Sequence, residues 1–332
     1  MRSGTKGPGL KLSVVIPVYN EEEGLPALFA RLYPALDALG VSHEVIFVND
    51  GSRDRSAAIL REQFARRPDT TRVILLNGNF GQHMAILAGF ERTRGERVVT
   101  LDADLQNPPE EIAKLLAKMD EGFDYVGGVR GERHDNALRR LGSRAMNAVR
   151  ARITHIHMSD QGCMLRAYSR GIIDAINACR EVSTFIPALA YTFAHNPTEV
   201  EVAHESRAAG ESKYSFYRLI RLNFDLVTGF SVVPLQIFSI FGILIAVASV
   251  LVYLVVMIER TLAGAPVLEI FWDRDILQFF LIGIVLFGLG LVGEYVGRIY
   301  QQVRERPRWL VQAVLEKEQP WEAKRSSSAT GT

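Results

Sequence analysis

Two long stretches without charge constrain this chain more than any other feature. Phe230 to Met257 holds no charged residue and is rich in Ile, Leu, Val and Phe. Ile276 to Val292 is likewise uncharged, and its apolar pattern runs on to about Tyr300 with Glu294 and Arg298 inside it. A helix needs about 20 apolar residues to cross a hydrocarbon layer of about 30 Å. Both stretches meet that need, and core helices rarely run so long without charge. Two transmembrane helices are therefore expected within 230–303. Glu294 stands near the end of the second, with Arg298 four residues on as a ready partner.

Flanking charge sets the orientation. Arg218 and Arg221 precede the first stretch, and Arg298, Arg304, Arg306 and Arg308 close the second. The connection carries Glu259, Arg260, Glu269, Asp273, Arg274 and Asp275 and is net acidic. Both ends are expected in the cytoplasm, with 304–332 as a cytoplasmic tail. Met1 to Leu10 is Gly-rich, polar and basic, without the apolar run of a secretory signal. Residues 1–10 are expected to be disordered and to stay in the cytoplasm. Before the first span, 211–229 mixes Tyr214, Phe216, Tyr217, Leu219, Ile220 and Phe224 with Lys and Arg. That composition suits an amphipathic helix lying in the membrane interface. The basic run Arg139, Arg140, Arg144, Arg150 and Arg152 fits either a second such helix or a solvated face.

Upstream, from Lys11 to about Asn223, charged and apolar residues mix as in a soluble protein. The 332 residues carry 38 basic and 37 acidic side chains, net +1, which disfavours general nucleic-acid binding. Cys163 and Cys179 cannot form a disulfide framework and are expected as free thiols in a reducing compartment. Short apolar runs at Leu12–Val18, Glu44–Val48, Arg72–Leu76 and Arg97–Leu101 have the character of buried parallel strands. Helical patterns at Glu22–Leu39, Arg55–Arg66, Gln82–Thr93 and Pro108–Asp120 alternate with them. Such alternation implies an α/β domain, expected over 11–210, with ligands beyond the carboxyl ends of the strands.

Polar motifs fall at those ends. Pro17-Val18-Tyr19-Asn20-Glu21-Glu22 closes the first strand and Asn49-Asp50-Gly51-Ser52 the second. Asp50 is a short acceptor suited to a ribose hydroxyl or a base N–H. Either motif alone also suits a plain turn leading into a helix. The fourth strand runs into Asp102-Ala103-Asp104-Leu105-Gln106. In an extended chain residues two apart share a face, so Asp102, Asp104 and Gln106 would aim oxygens together. Such a set suits Mg²⁺ or Mn²⁺ completed by substrate phosphates. No Gly-x-Gly-x-x-Gly follows the first strand and no Gly-Lys-Ser/Thr loop exists, which disfavours dinucleotide and P-loop enzymes. No Cys/His cluster suggests zinc.

Taken together, these motifs resemble glycosyltransferase family 2, whose members have the GT-A (Rossmann-like) fold. The two-span tail narrows the resemblance to the polyprenyl-phosphate glycosyltransferase branch. Its stretches here are Asn79–Phe90 (NFGQHMAILAGF), Leu101–Ile112, Gly162–Tyr168, Ser183–Pro187, Gly210–Phe216 and Gly293–Tyr300. The resemblance implies inverting transfer from a UDP-sugar to undecaprenyl phosphate, yielding a lipid-linked donor for envelope or lipid A modification. The sugar stays open among 4-formamido-arabinose, another aminosugar and glucose. Membrane lipids are expected partners, nucleic acid is not, and the resemblance implies a homo-oligomer, a tetramer in relatives.

In that frame Pro17, Tyr19, Glu21 and Asp50, with Asp102, hold the nucleotide, and Asp102, Asp104 and Gln106 hold the metal and diphosphate. Asp160, in Ser159-Asp160-Gln161-Gly162, matches the position of the family's catalytic Asp. A phosphate monoester has a second pKa of about 6 and is already nucleophilic at neutral pH. Asp160 is then either a general base or a group that orients the acceptor or sugar. Two anionic partners call for fixed cations, and Arg130, Arg207, Ser212 and Lys213 are the candidates. A processive polysaccharide synthase would carry Gln-x-x-Arg-Trp in the soluble domain; here Trp309 follows Arg308 only after the second span. A catalytically silent membrane scaffold is the rival from another class.

Overall fold

The computed structural model describes residues 10–130, 158–160, 162–179, 185–205, 233–263, 271–304 and 307–317. The expected interfacial helix at 211–229, the basic run from Arg139 to Arg152, and Arg207, Ser212 and Lys213 lie outside the described residues. The chain divides into two compact units. The first holds the described residues up to 205 together with 307–317, and the second holds 233–263 and 271–304.

The first unit is built on one mixed eight-stranded sheet. Strands β1 (Leu12–Val18), β2 (His43–Asn49) and β3 (Thr71–Leu76) pair in parallel, and β4 (Arg97–Thr100) adds to the other side of β1. Helices α1 (Leu25–Ala38), α2 (Ser56–Arg66) and α3 (Gln82–Phe90) connect them. The apolar runs are nearly continuous because both faces are covered. Val14, Ile16 and Val18 of β1 join one core with Leu25, Leu28 and Leu32 of α1 and Leu60 of α2. Val15 and Val48 face the other way, where α3 comes so close that a side chain at Gly89 would collide with Val15 and crowd Val48.

After β4 the chain forms a 3₁₀ turn (Pro109–Glu111) and α4 (Ile112–Asp120), then β5 (Tyr125–Arg130). β6 (Arg166–Ser169), α5 (Arg170–Ala178), α6 (Ile186–Phe193) and β7 (Pro197–Val202) follow. β6 runs antiparallel to both β4 and β5, and β5 pairs in parallel with β7. The expected GT-A-like α/β architecture is present. α1 starts at Leu25 rather than Glu22, because Glu21 to Gly24 form a turn and Pro26 suits the first helical turn, where its missing N–H costs no bond.

The second unit consists of α7 (Val233–Ala263) and α8 (Phe271–Val303). Among the described residues one window, Leu281–Tyr300 in α8, is long and apolar enough to cross a membrane. Asp273, Arg274 and Asp275, expected in the connection, lie within α8. α7 and α8 pack through Phe238 and Phe287, with ring centroids 6.0 Å apart. Glu294 pairs with Arg298 at 2.8 Å on the helix surface.

The chain then returns to the first unit. β8 (Val311–Leu315) pairs antiparallel with β3 and completes the sheet order β7-β5-β6-β4-β1-β2-β3-β8. Within the expected tail over 304–332, residues 311–315 form this strand, because β3 offers an open edge whose N–H and C=O groups they satisfy. A buried ion network pins the strand. Arg72 donates to Glu44 at 3.0 Å and to Glu316 at 2.6 Å, and Arg94 reaches Glu316 at 3.0 Å. The other Glu44 oxygen accepts from Ser13 Oγ at 2.6 Å and the Arg94 N–H at 2.7 Å. Arg72 and Glu44 side chains are 8% and 5% exposed, whereas Glu316 is 35% exposed. Breaking a buried pair leaves an uncompensated charge and costs about 3–5 kcal/mol. Arg72→Met should therefore lower stability by about 3 kcal/mol, read as a shift in the denaturation midpoint. Glu316→Gln should cost far less, and equal losses would contradict this ranking.

Candidate functional site

At the carboxyl end of the sheet, the loops after β1 and β2 are sewn together by reciprocal bonds. Asn20 N–H donates to Ser52 Oγ at 3.0 Å while Asn20 Oδ1 accepts from the Arg53 N–H at 2.9 Å. Glu22 N–H donates to Asp54 Oδ2 at 3.0 Å while Glu22 Oε2 accepts from the Arg55 N–H at 2.9 Å. The Glu21 N–H donates to Ser56 Oγ at 2.9 Å. Asn20 takes φ +54°, a conformation Asn tolerates better than most residues. The result is a rigid rim on which Tyr19 is 42% exposed, with Pro17 half-buried beneath it in β1. A Cβ at Gly24 would meet Glu21 Oε2 at 3.5 Å and the Ala103 carbonyl at 3.8 Å, so this rim adjoins the turn after β4.

Asp50 is buried behind the rim. Its two oxygens accept the N–H groups of Phe80 and Gly81 at 2.8 and 2.9 Å. Burial raises its pKa above the usual carboxylate value, and the two N–H bonds oppose that shift. A carboxylate has about four acceptor positions, so these bonds do not exhaust Asp50. Gly51, at φ +66°, lets the chain pass so close to Gly78 that any side chain would collide with its backbone. The β2 end thereby holds residues 77–81 in place and sets where α3 begins.

After Thr100 the chain turns instead of staying extended, and Leu105 takes φ +59°. The alternation expected of Asp102, Asp104 and Gln106 is therefore corrected: a turn places them. Asp104 Oδ1 accepts the Gln106 N–H at 3.1 Å, and Asp102 Oδ1 accepts from Gln82 Nε2 at 2.7 Å. Both carboxylates are partly exposed. Among the described residues no group of three or more His, Cys, Asp or Glu is placed to hold a metal alone. Two carboxylates and an amide on one turn nonetheless fit a hard divalent cation completed by phosphate and water.

Across the turn stands Asp160. Arg130 grips its carboxylate, Nε to Oδ2 at 2.6 Å and a terminal nitrogen to Oδ1 at 2.7 Å, and the Gly162 N–H adds a bond at 3.0 Å. Hydrogen bonding to Asp160 raises the Arg130 pKa further, and the Asp102 charge adds to this. Arg130 and Asp160, expected to serve separate groups, are thus brought together beside Asp102. Cys163 Sγ contacts Asn107 Oδ1 at 3.6 Å, tying the Asp160 segment to the β4 turn, and burial pushes its thiol up to about 11. Both cysteines are free.

Two residues at this site escaped the sequence reading. Arg166 is fully buried, and it holds the Asp160 carbonyl at 2.5 Å, the Cys163 carbonyl at 2.8 Å and the Tyr125 hydroxyl at 2.5 Å. It lies within the stretch Gly162–Tyr168, but a lone Arg in a strand pattern carries no role by itself. Gln82 likewise lies within Asn79–Phe90, and only folding shows that it reaches Asp102. Arg207, Ser212 and Lys213 lie outside the described residues.

Comparison with known proteins adds three relatives and a family. Glycosyl transferase family 2 matches residues 13–176. An undecaprenyl-phosphate 4-deoxy-4-formamido-L-arabinose transferase of Shewanella sediminis is 50% identical over 311 residues, 92% of each chain. Proteins of the same description from Pseudomonas aeruginosa and Proteus mirabilis are 49% and 47% identical, covering 92% and 93% of this chain and 90% and 95% of theirs. With the strand-end loops, the Asp102–Asp104 turn and Asp160 already assembled at one end of the sheet, this identity settles the family: the chain belongs to glycosyltransferase family 2.

Proposed function

We propose that this glycosyltransferase moves a sugar, with inversion, from a UDP-sugar to undecaprenyl phosphate at the cytoplasmic face of a bacterial inner membrane. The observation that carries this reading is the 50% identity over 92% of both chains to a transferase of that acceptor, since the matched length includes the helical unit as well as the sheet. The donor we infer is an aminosugar such as 4-formamido-arabinose, for envelope or lipid A modification. A glucosyl or hexosamine donor is the second reading, because relatives of one acceptor differ in sugar.

Pro17, Tyr19, Glu21 and Asp50 would hold the uridine, on the rim and its buried support. Asp102 and Asp104, with Gln106, would hold Mg²⁺ or Mn²⁺, which when bound offsets charge on the departing diphosphate. Asp160 orients the acceptor or sugar. The forked bond from Arg130 and the Gly162 N–H support that role over proton abstraction, since both stabilise the charged carboxylate. Arg130 would steady Asp160 and act on the phosphates by charge alone. Arg207, with Ser212 and Lys213 at the start of the proposed interfacial segment 211–229, would take the lipid phosphate.

Two membrane crossings, by α7 and α8, are supported from two sides. Phe230 to Met257 has no charge. The chain also leaves the sheet after β7 and rejoins it as β8, and a segment that starts and ends in one sheet crosses a membrane an even number of times. A homo-oligomer, with a tetramer as the resemblance implies, belongs to the same proposal.

The test is a transfer assay with purified protein, undecaprenyl phosphate, Mn²⁺ and a panel of UDP-sugars, with lipid product read by mass. One glycosylated lipid names the donor. No product and no UDP binding would favour the silent scaffold. Asp104→Ala should abolish transfer while membrane insertion stays intact, and near-normal turnover would remove the metal-site reading. In Asp160→Asn, kcat should fall while the acid limb of the pH–rate profile, set near pH 6 by the acceptor phosphate, stays. A limb that disappears with the carboxylate would make Asp160 the base.

A further inference from the structure

His83 is set aside in any plain reading of the sequence, as one more histidine at the start of a helix. Its surroundings argue otherwise. The ring is partly buried, and Nδ1 is sealed from solvent with no hydrogen-bond partner. A His that caps its own helix would spend a ring nitrogen on the backbone; among the described residues neither ring nitrogen makes such a bond. Buried polar atoms left unmatched are rare and call for a reason.

The position supplies one. His83 stands in the first turn of α3, a nine-residue helix whose N-terminus lies at the carboxyl end of the sheet. The preceding residue, Gln82, bonds Asp102 on the proposed metal side. The ring meets Phe185 edge-on, with centroids 5.2 Å apart at 74°. Burial first, and then the charge of Arg166, lower its pKa to about 4, and the same Arg166 holds the Asp160 carbonyl. The ring is therefore neutral near pH 7. Its chain neighbour Gln82 bonds Asp102 of the metal turn, and the Arg166 whose charge it feels holds the Asp160 segment.

We infer that the His83 imidazole binds a hydroxyl or amide group of the sugar being transferred, its Nδ1 uncovered as the donor seats, making it a specificity-determining residue on the sugar side of the donor. A neutral imidazole presents one donor and one acceptor nitrogen. A site built to hydrogen-bond a polar group rejects analogues lacking it far more strongly than an apolar pocket can. Phe185 forms an apolar wall beside it.

This inference rests on the UDP-sugar reading, and the experiment separates the two. Wild type, His83→Ala and His83→Gln are purified as full chains and assayed with Mn²⁺, undecaprenyl phosphate and a UDP-sugar panel, and UDP binding is measured separately. The expected result for His83→Ala is UDP affinity within about twofold of wild type and kcat/KM for the preferred donor at least about tenfold lower, with discrimination among donors narrowed. His83→Gln, which keeps a polar group, should recover part of that loss. Unchanged donor kcat/KM in His83→Ala, or a parallel loss of UDP affinity, overturns the inference. Should the Ala variant not fold, ¹⁵N imidazole spectra of the wild type decide: Nδ1 should shift with UDP-sugar and not with UDP, and no difference between the two overturns it. A wild type that binds UDP-sugar but transfers from no donor counts against the proposed reaction, while the imidazole shift still tests His83.

Discussion

The bond pair from Asp50 to the Phe80 and Gly81 N–H groups holds more of this molecule in place than its size suggests. A buried carboxylate is costly unless its oxygens are occupied, and here the occupying groups belong to the segment that starts α3. With that segment fixed, Gln82 reaches Asp102 and His83 sits against Phe185. If the anchor slackened, Gln82 and His83 would lose their set positions together. Asp50 thus supports the site from behind, in addition to any contact with a nucleotide.

The charges around Asp160 follow a similar logic of support. Arg130 holds its carboxylate and Arg166 its backbone, one from each end. Both cations are directed at Asp160's own segment. The proposed work of meeting two anionic substrates therefore falls more heavily on the metal turn and on Arg207 and Lys213. A fully buried arginine without a carboxylate at salt-bridge distance among the described residues also places fixed positive charge under the site, in a medium where it is poorly screened.

Legibility from sequence tracked how local each feature was. The four parallel strands could be read because burial on both faces leaves almost unbroken apolar runs. The two long helices could be read because charge is missing over so many residues. Asp102 and Asp104 were found but misplaced in detail, since nothing local announces that Leu105 adopts a left-handed conformation. Asp160 was reached only through resemblance, because it lies in an irregular segment with no periodicity to mark it. β8 was missed: Val311–Leu315 is five residues long, and its partner strand and its ion partner Arg72 lie far back in the chain.

That distance has a consequence for how the protein comes to exist. Arg72 and Glu316 are 244 residues apart, so β3 keeps a bare edge until that length of chain has been made. At about 5–20 residues per second, synthesis leaves that edge exposed for more than ten seconds, a period when unpaired strands invite aggregation. The two long helices emerge within this interval, before the strand that seals the sheet. Completion of the sheet thereby waits on the synthesis of both long helices, and a nascent chain that has not yet made them also lacks its finished sheet.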